Sequence, residues 1–217
     1  MGKPGRFVSF EGPEGAGKTT HIRELEAFLN SHGIRTIRTR EPGGTKMGEV
    51  VRNLLQNDLA GEPPVDRAEV MLFSASRAQL VENVIRPALA YGVWVLADRF
   101  ADSTYAYQGY GRGFDVEELR RITMFATGGL EPDITFLLDV PPEITKQRLL
   151  DRQAESATGP DRIERAGDAF HLRVREGFLK LAEDFPERMV KVDSQAPRDI
   201  VTERIESIVS QRFGIGM

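Results

Sequence analysis

The chain has 217 residues, 40% of them hydrophobic, with a net charge of −4 from interspersed acids and bases. That is enough apolar material for one large α/β domain with its own core; the mixed charge leaves no basic footprint for nucleic acid, and the absence of cysteine excludes disulfides and thiolate metal sites and fits a reducing cytoplasm. No apolar run is long enough to span a bilayer, the first residues lack the apolar segment of a signal peptide, and Arg6 stands where a myristoylation signal needs serine or threonine.

The first predicted strand, Phe7–Phe10, runs into Gly12-Pro13-Glu14-Gly15-Ala16-Gly17-Lys18-Thr19. This is the G-x-x-x-x-G-K-[ST] spacing of a phosphate-binding loop. Helical spacing follows over Thr20–Ser31, with Ile22, Leu25 and Leu29 on one face. Strand, glycine turn and helix is the order the chemistry needs. Glycines let backbone N–H groups converge on an anion, and the helix N-terminus adds partial positive charge. Gly12 through Thr20 are therefore the candidate nucleotide-phosphate ligands. Lys18 is expected at the terminal phosphates, and the Thr19 hydroxyl at Mg²⁺.

A second strand, Ile34–Thr39, ends in Arg40-Glu41-Pro42-Gly43-Gly44, and helices are predicted over Met47–Gln56 and Asp66–Leu89. Asp66 reads as an N-cap, and Pro87 should end or kink the longer helix near its last turn. Phe73 and Arg77 are four apart and share a helix face. They offer either a plate and a planar donor for a base, or a core phenylalanine and a solvated arginine.

The third strand, Val93–Ala97, leads to Asp98-Arg99-Phe100. An acid there can orient Mg²⁺ or its water shell. Asp139, after the fourth strand Ile134–Leu138, competes for that role. Arg99 favours Asp98, because an adjacent guanidinium offers a fork of donors to a phosphate; a salt-bridged Asp-Arg pair capping the strand is the alternative. Ser103–Gly113 is polar, aromatic and glycine-rich, a composition common in loop tips, and its side chains suit a sugar and a base edge.

Further helices are predicted over Val116–Thr127, Pro142–Arg152, Asp168–Glu183 and Arg198–Arg212, with Pro141-Pro142-Glu143 as a helix start. Met189–Val192 is the last strand. Gln153–Pro160 has no periodicity and is expected to be a mobile loop, flanked by Arg148, Arg152, Arg162 and Arg165. A basic flap there could neutralise a moving phosphoryl group and exclude water; a solvated helix face is the alternative. The alternation predicts a doubly wound α/β fold on a five-stranded parallel sheet. Several of its strands are apolar nearly throughout, as in a sheet covered on both faces. Ligands belong beyond the strands' carboxyl ends, where charged residues gather.

Together these segments resemble the bacterial thymidylate kinases, P-loop nucleoside monophosphate kinases. The likeness is carried by Phe10–Thr20, Thr39–Thr45, Leu72–Arg77, Asp98–Phe100, Ser103–Gly109 and Asp161–Glu164, in order over nearly the whole chain. It implies a P-loop NTPase fold over residues 1–217 as a single domain with a mobile LID at about 148–165. It implies transfer of the γ-phosphoryl of ATP to dTMP, with Mg²⁺, by a cytoplasmic homodimer with no nucleic-acid or membrane partner.

The resemblance also implies roles. Lys18, Asp98, Arg99 and a flap arginine would be catalytic. Glu14 would bond the 3′-hydroxyl of dTMP. Arg99 would grip its phosphate, with Arg40 or Arg52 assisting. Phe73 would stack on thymine and Arg77 would bond its 4-carbonyl. Thr104 and Gln108 would line the base pocket, Pro42 would also contact dTMP, and Tyr107 would crowd the 2′ position. Gln153–Pro160 carries no basic residue, a departure from the family's arginine-rich flap. The flap role is therefore expected at Arg152, with Arg162 second. The rival readings are another nucleoside monophosphate or deoxynucleoside kinase, and a nucleotide-binding switch. No Asn-Lys-x-Asp guanine-reading segment is present.

Overall fold

The computed structural model describes residues 5–57, 61–155, 162–163 and 165–216, with the side chains of 149–155 outside the description. Strands β1 (Phe7–Glu11), β2 (Thr36–Arg40), β3 (Trp94–Asp98), β4 (Ile134–Asp139) and β5 (Met189–Asp193) form one parallel sheet in the order β2-β3-β1-β4-β5. Most strands run one residue further than the apolar pattern predicts, and each ends on a charged residue. Phe10 and Arg40 both lie level with Asp98 across neighbouring strands. The expected rim of charge at the carboxyl end of the sheet is therefore present.

Strand alternation splits the core in two. Val8, Phe10, Leu96, Phe136 and Leu138 face α1 (Lys18–Ser31) and α9 (Arg198–Phe213), and Ile22, Leu25, Leu29, Val201 and Ile205 close that layer. Phe7, Val95, Ala97 and Leu137 face the other way, toward α3 (Asp66–Leu80), α6 (Val116–Thr127) and α8 (Asp168–Asp184). Each fully buried Leu or Phe contributes roughly 1.5–3 kcal/mol to these layers. On the second face, polar Ser9, Glu11 and Thr135 replace apolar residues, and all are fully buried. That polar stripe interrupts the otherwise apolar runs of β1 and β4.

Capping is mixed. Thr45 accepts from the Gly48 N–H at 2.9 Å to start α2 (Lys46–Gln56), and Asp115 accepts from the Glu118 N–H at 2.7 Å to start α6. Asp66 is not a cap: Val65 holds that position without a side-chain bond, and Asp66 lies in the first turn, paired with Arg112 at 3.0 Å. Pro87 does not end its helix. A π-helical turn, Val81–Ile85, widens the path before α4 (Arg86–Ala90), which carries Pro87 in its first turn. A ring that lacks an N–H and crowds the preceding turn is tolerated there.

The largest departure is Ser103–Gly113. Ala101–Thr104 is a short helix, α5, continuing into a π-helix over Tyr105–Gly111. Gly109 and Gly111 mark close packing rather than a loop tip, whereas Gly113, with φ 82°, faces open space. A Cβ on Gly111 would lie 2.7 Å from the Phe170 ring, and one on Gly177 would lie 2.7 Å from Tyr110. α7 (Pro142–Glu155) begins at Pro142 as predicted but absorbs the first residues of the expected mobile loop. The rest of that loop, residues 156–160, and the Arg152 side chain lie outside the described residues.

Candidate active site

The phosphate loop follows β1, the central strand. Gly12 has φ 133°, and a Cβ there would stand 2.5 Å from the Leu138 carbonyl oxygen, so only glycine fits. Gly17, also left-handed, opens α1 with no side-chain cap, and the first N–H groups of such a helix have no intrahelical partner. Lys18 is buried, and its ammonium donates to the Pro13 carbonyl at 2.8 Å and to that of Gly12 at 3.3 Å. Burial and the Arg99 guanidinium lower its pKa, while Glu14, Asp98 and Glu11 oppose that shift. The Thr19 hydroxyl donates to Asp98 Oδ2 at 2.7 Å. The two oxygen groups expected at Mg²⁺ thus come together from positions 79 residues apart. Asp139, the competitor, is held bidentately by Arg175 of α8, at 2.7 and 3.1 Å.

The chain leaves β1 toward α1 on one face and β3 toward α5 on the other. This opens a crevice at the carboxyl ends of two adjacent strands, where ligands of open α/β sheets bind. The cavity there has a volume of about 640 Å³. Glu14 and Thr19 line it from the loop side, and Arg40, Pro42 and Arg52 from β2 and α2. Phe73 of α3 lines it too, with Asp98, Arg99, Thr104, Tyr107 and Gln108 from β3 onward. Nearly all the sequence-predicted acceptor residues therefore share one space.

Arg99 is the hub of the polar network in this cavity. Its guanidinium donates to Glu14 Oε1 at 2.7 Å, the Gly12 carbonyl at 3.0 Å, the Tyr107 hydroxyl at 3.1 Å and Ser103 Oγ at 3.2 Å. Its φ is 70°, the only positive value at a non-glycine among the described residues. A side chain in that conformation costs roughly 1–3 kcal/mol, and such strain clusters at functional sites. Burial pushes the Tyr107 hydroxyl up to about 12, so it stays a neutral hydrogen-bonding group.

Arg77 fits neither sequence reading fully. It is 1% exposed, so it is not a solvated surface residue, and it stands behind the cavity wall rather than in it. It pairs with buried Glu41 at 2.7 Å and donates to Thr104 Oγ1 at 2.9 Å. Among the described residues, neither its Nη1 nor Glu41 Oε1 has a hydrogen-bond partner. Burial raises the Glu41 pKa, and Arg77 opposes that.

Two arginines near the expected flap point different ways. Arg162, the second choice there, is committed elsewhere: it donates to the Leu55 carbonyl at 3.1 Å and pairs with Glu69. Arg148 reaches the phosphate loop, donating to the Gly15 carbonyl and to that of Ser194, both at 3.1 Å.

Four acids that sequence reasoning left without a role organise this site. Glu69 takes Gln108 at 2.8 Å and Arg112 in two bonds of 2.8 Å, besides Arg162. Burial would raise its pKa, but those donors hold it below the usual carboxylate range. Glu41 anchors Arg77. Asp102 binds Arg188 in two bonds of 2.7 Å. Glu11 sits beneath the Arg99 turn. The signal for them was weak: an acid inside a helix pattern or at a strand end, with its partner far away in sequence.

The thymidylate kinase family model matches residues 10–205. The chain is 48% identical to the thymidylate kinase of Deinococcus radiodurans over 208 residues, covering 96% of this chain and 98% of that one. It is 45% identical to that of Oleidesulfovibrio alaskensis, covering 97% and 100% of the two chains, and 44% identical to that of Chlorobium chlorochromatii, covering 95% of each. A parallel sheet in the order β2-β3-β1-β4-β5, a phosphate loop joined to Asp98 and a likeness this extensive lead to one assignment: the chain belongs to the thymidylate kinase family.

Proposed function

We propose that the chain transfers the γ-phosphoryl group of ATP to the phosphate of dTMP, giving ADP and dTDP. One observation carries the reading: a single cavity is lined by Thr19 of the phosphate loop, by Asp98 of β3 to which Thr19 is hydrogen-bonded, and by Arg99 and Phe73. A phosphate oxygen of dTMP attacks the γ-phosphorus, and the bond from that phosphorus to the β,γ-bridging oxygen breaks. The acceptor is already an anion at neutral pH and needs little help from a base. Catalysis then rests on alignment and charge neutralisation.

In this reading Gly12, Pro13, Glu14, Gly15, Ala16, Gly17, Lys18, Thr19 and Thr20 cradle the ATP phosphates. Lys18 would exchange its loop carbonyls for phosphate oxygens. Arg99 aligns the acceptor phosphate, with Arg40 and Arg52 nearby, while Glu14 meets the 3′-hydroxyl. Phe73, Pro42, Thr104, Tyr107 and Gln108 enclose the nucleoside. Arg77 meets the base carbonyl, its Nη1 being a donor without a partner among the described residues. Arg152 remains our choice for the flap arginine. Thr19 and Asp98 offer hard oxygen donors that fit Mg²⁺, which when bound would spread negative charge on the phosphates.

We also propose a homodimer working in the cytoplasm. Met47, Val50 and Leu54 are exposed on one face of α2, and Met71 is exposed on α3, against which α2 packs; exposed apolar residues of this kind favour burial against a second copy. No described helix is long and apolar enough to cross a membrane. The deciding experiment supplies ATP, magnesium and, in turn, dTMP, dUMP, dCMP, dGMP and thymidine. ADP and dTDP should appear fastest with dTMP; no turnover with dTMP sinks the proposal.

A further inference from the structure

Glu11 is the last residue of β1, fully buried and outside the cavity lining. A carboxyl group there forgoes its hydration, which is unfavourable without compensating bonds. Its bonds all go to one place. Oε1 accepts from the Phe100 N–H at 2.8 Å, and Oε2 accepts from the Ser103 hydroxyl at 2.6 Å. Phe100 follows Arg99, and Ser103 Oγ in turn accepts from Arg99 Nη1 at 3.2 Å. The segment so clamped contains the strained φ of 70° at Arg99. A left-handed arginine persists only where its surroundings over-determine it. The backbone bond from the Arg99 N–H to the Phe10 carbonyl at 3.0 Å fixes the near end of the turn. Glu11 fixes the far end and the guanidinium's neighbour.

We propose that Glu11 is a positioning residue for the acceptor: by holding Phe100 and Ser103 it keeps the Arg99 turn left-handed and aims the guanidinium at the phosphate of the nucleoside monophosphate. The inference rests on the reading of Arg99 as the acceptor-phosphate ligand. It goes beyond that reading in assigning a carboxyl that no substrate touches.

The distinguishing readout is phosphate-dependent binding. Calorimetry should compare dTMP with thymidine, which has the same base and sugar but no phosphate, alongside the KM for ATP. Glu11→Leu fills the space without acceptors. It should weaken dTMP roughly tenfold or more, the scale of a lost charge-assisted bond. Thymidine affinity and the KM for ATP should stay within about twofold, since neither ligand meets Arg99's target. Glu11→Gln can accept from Phe100 and bond Ser103, so it should restore dTMP binding to within about threefold of the parent. If Glu11→Leu does not fold, Glu11→Asp, which withdraws the carboxyl by one methylene, should show the same split at smaller size.

Arg99→Met tests the foundation separately. Equal weakening of dTMP and thymidine in Arg99→Met overturns Arg99 as the phosphate ligand. With that variant selective for dTMP, Glu11→Leu (or Glu11→Asp in its place) must be selective too, and combining the two changes must add little beyond Arg99→Met alone. A Glu11 variant that weakens both ligands equally, weakens neither, or adds its full effect to Arg99→Met overturns the proposal.

Discussion

On the donor side of the cavity, eight consecutive residues from Gly12 to Thr19 form a cradle, and the backbone carries most of it. In the proposed acceptor pocket, Phe73, Arg99, Tyr107 and Gln108 come from α3, the end of β3 and a π-helix; Arg99 is held by Glu14 and the Tyr107 hydroxyl, and Gln108 by buried Glu69. A backbone cradle tolerates most side-chain changes that respect its glycines. A side-chain pocket supported by buried ion pairs does not, because removing one partner strands the other. Functional and structural roles therefore separate on the donor side and merge on the acceptor side.

Lys18→Ala should break that comparison most clearly. In the proposed mechanism its ammonium meets phosphate, and losing a preorganised charge at the reacting group typically removes roughly 100- to 1,000-fold of kcat. The fold should survive, because burial already disfavours the charge and the loop carbonyls it meets can turn to water. Steady-state rates with thermal melts check both halves. Normal turnover would remove Lys18 from the chemistry.

The opposite pattern is expected at Arg77. Arg77→Ala leaves the Glu41 carboxylate buried without its cation, a change worth about 3–5 kcal/mol of stability. Urea denaturation should register that before any assay of base choice is interpretable. Arg77→Gln combined with Glu41→Gln keeps hydrogen-bonding groups without a stranded charge. In that background, preference for thymine over cytosine nucleotides should fall if Arg77 reads the base.

This contrast also explains what the sequence disclosed. The phosphate loop was legible because its parts are contiguous and its flanks switch from strand to helix at once. The sheet was legible from apolar runs, and the strand ends from the charged residues after them. The supporting acids were not, because their partners are remote: Glu41 and Arg77 are 36 residues apart, Glu69 and Gln108 are 39 apart, and Glu11 and Phe100 are 89 apart. The Ser103–Gly113 segment misled for another reason. Glycine signals a turn in isolation, but Gly111 sits in a helix where α8 leaves no room for a Cβ. Arg77 stayed open between a base donor and a solvated residue because helical spacing says which side chains share a face, not what that face meets.

Stability against pH offers a subtler test of the acceptor side. Burial first, then the nearby Asp102 carboxylate, push the Glu11 carboxyl up to about 8, against the pull of Arg99. In the unfolded chain it titrates near 4.5. Between those values the native state holds a proton that the unfolded chain releases. This contribution to stability is full below pH 4.5, falls as pH rises and is gone above about 8. Glu11→Gln has no such proton. Denaturation midpoints of parent and Glu11→Gln should therefore diverge in the parent's favour toward pH 5 and converge toward pH 8.5, relative to their mean difference. Parallel profiles would mean that Glu11 keeps an ordinary pKa.

The smallest effect is expected at Asp139, the acid that the sequence could not separate from Asp98. Both end a strand at the same rim, but Asp98 meets Thr19 of the phosphate loop, whereas Asp139 is closed off by the fork of Arg175. Asp139→Asn keeps the shape and one acceptor while weakening a partly exposed ion pair, worth up to about 1 kcal/mol. Turnover should stay within about twofold, since nothing in the transferring geometry changes, while Asp98→Asn should lower kcat far more. The paired kcat values, measured at the same magnesium concentration, decide between two carboxylates that differ only in their neighbours. An Asp139→Asn loss as large as that of Asp98→Asn would move the metal-side acid from β3 to β4 and require Arg175 to release it.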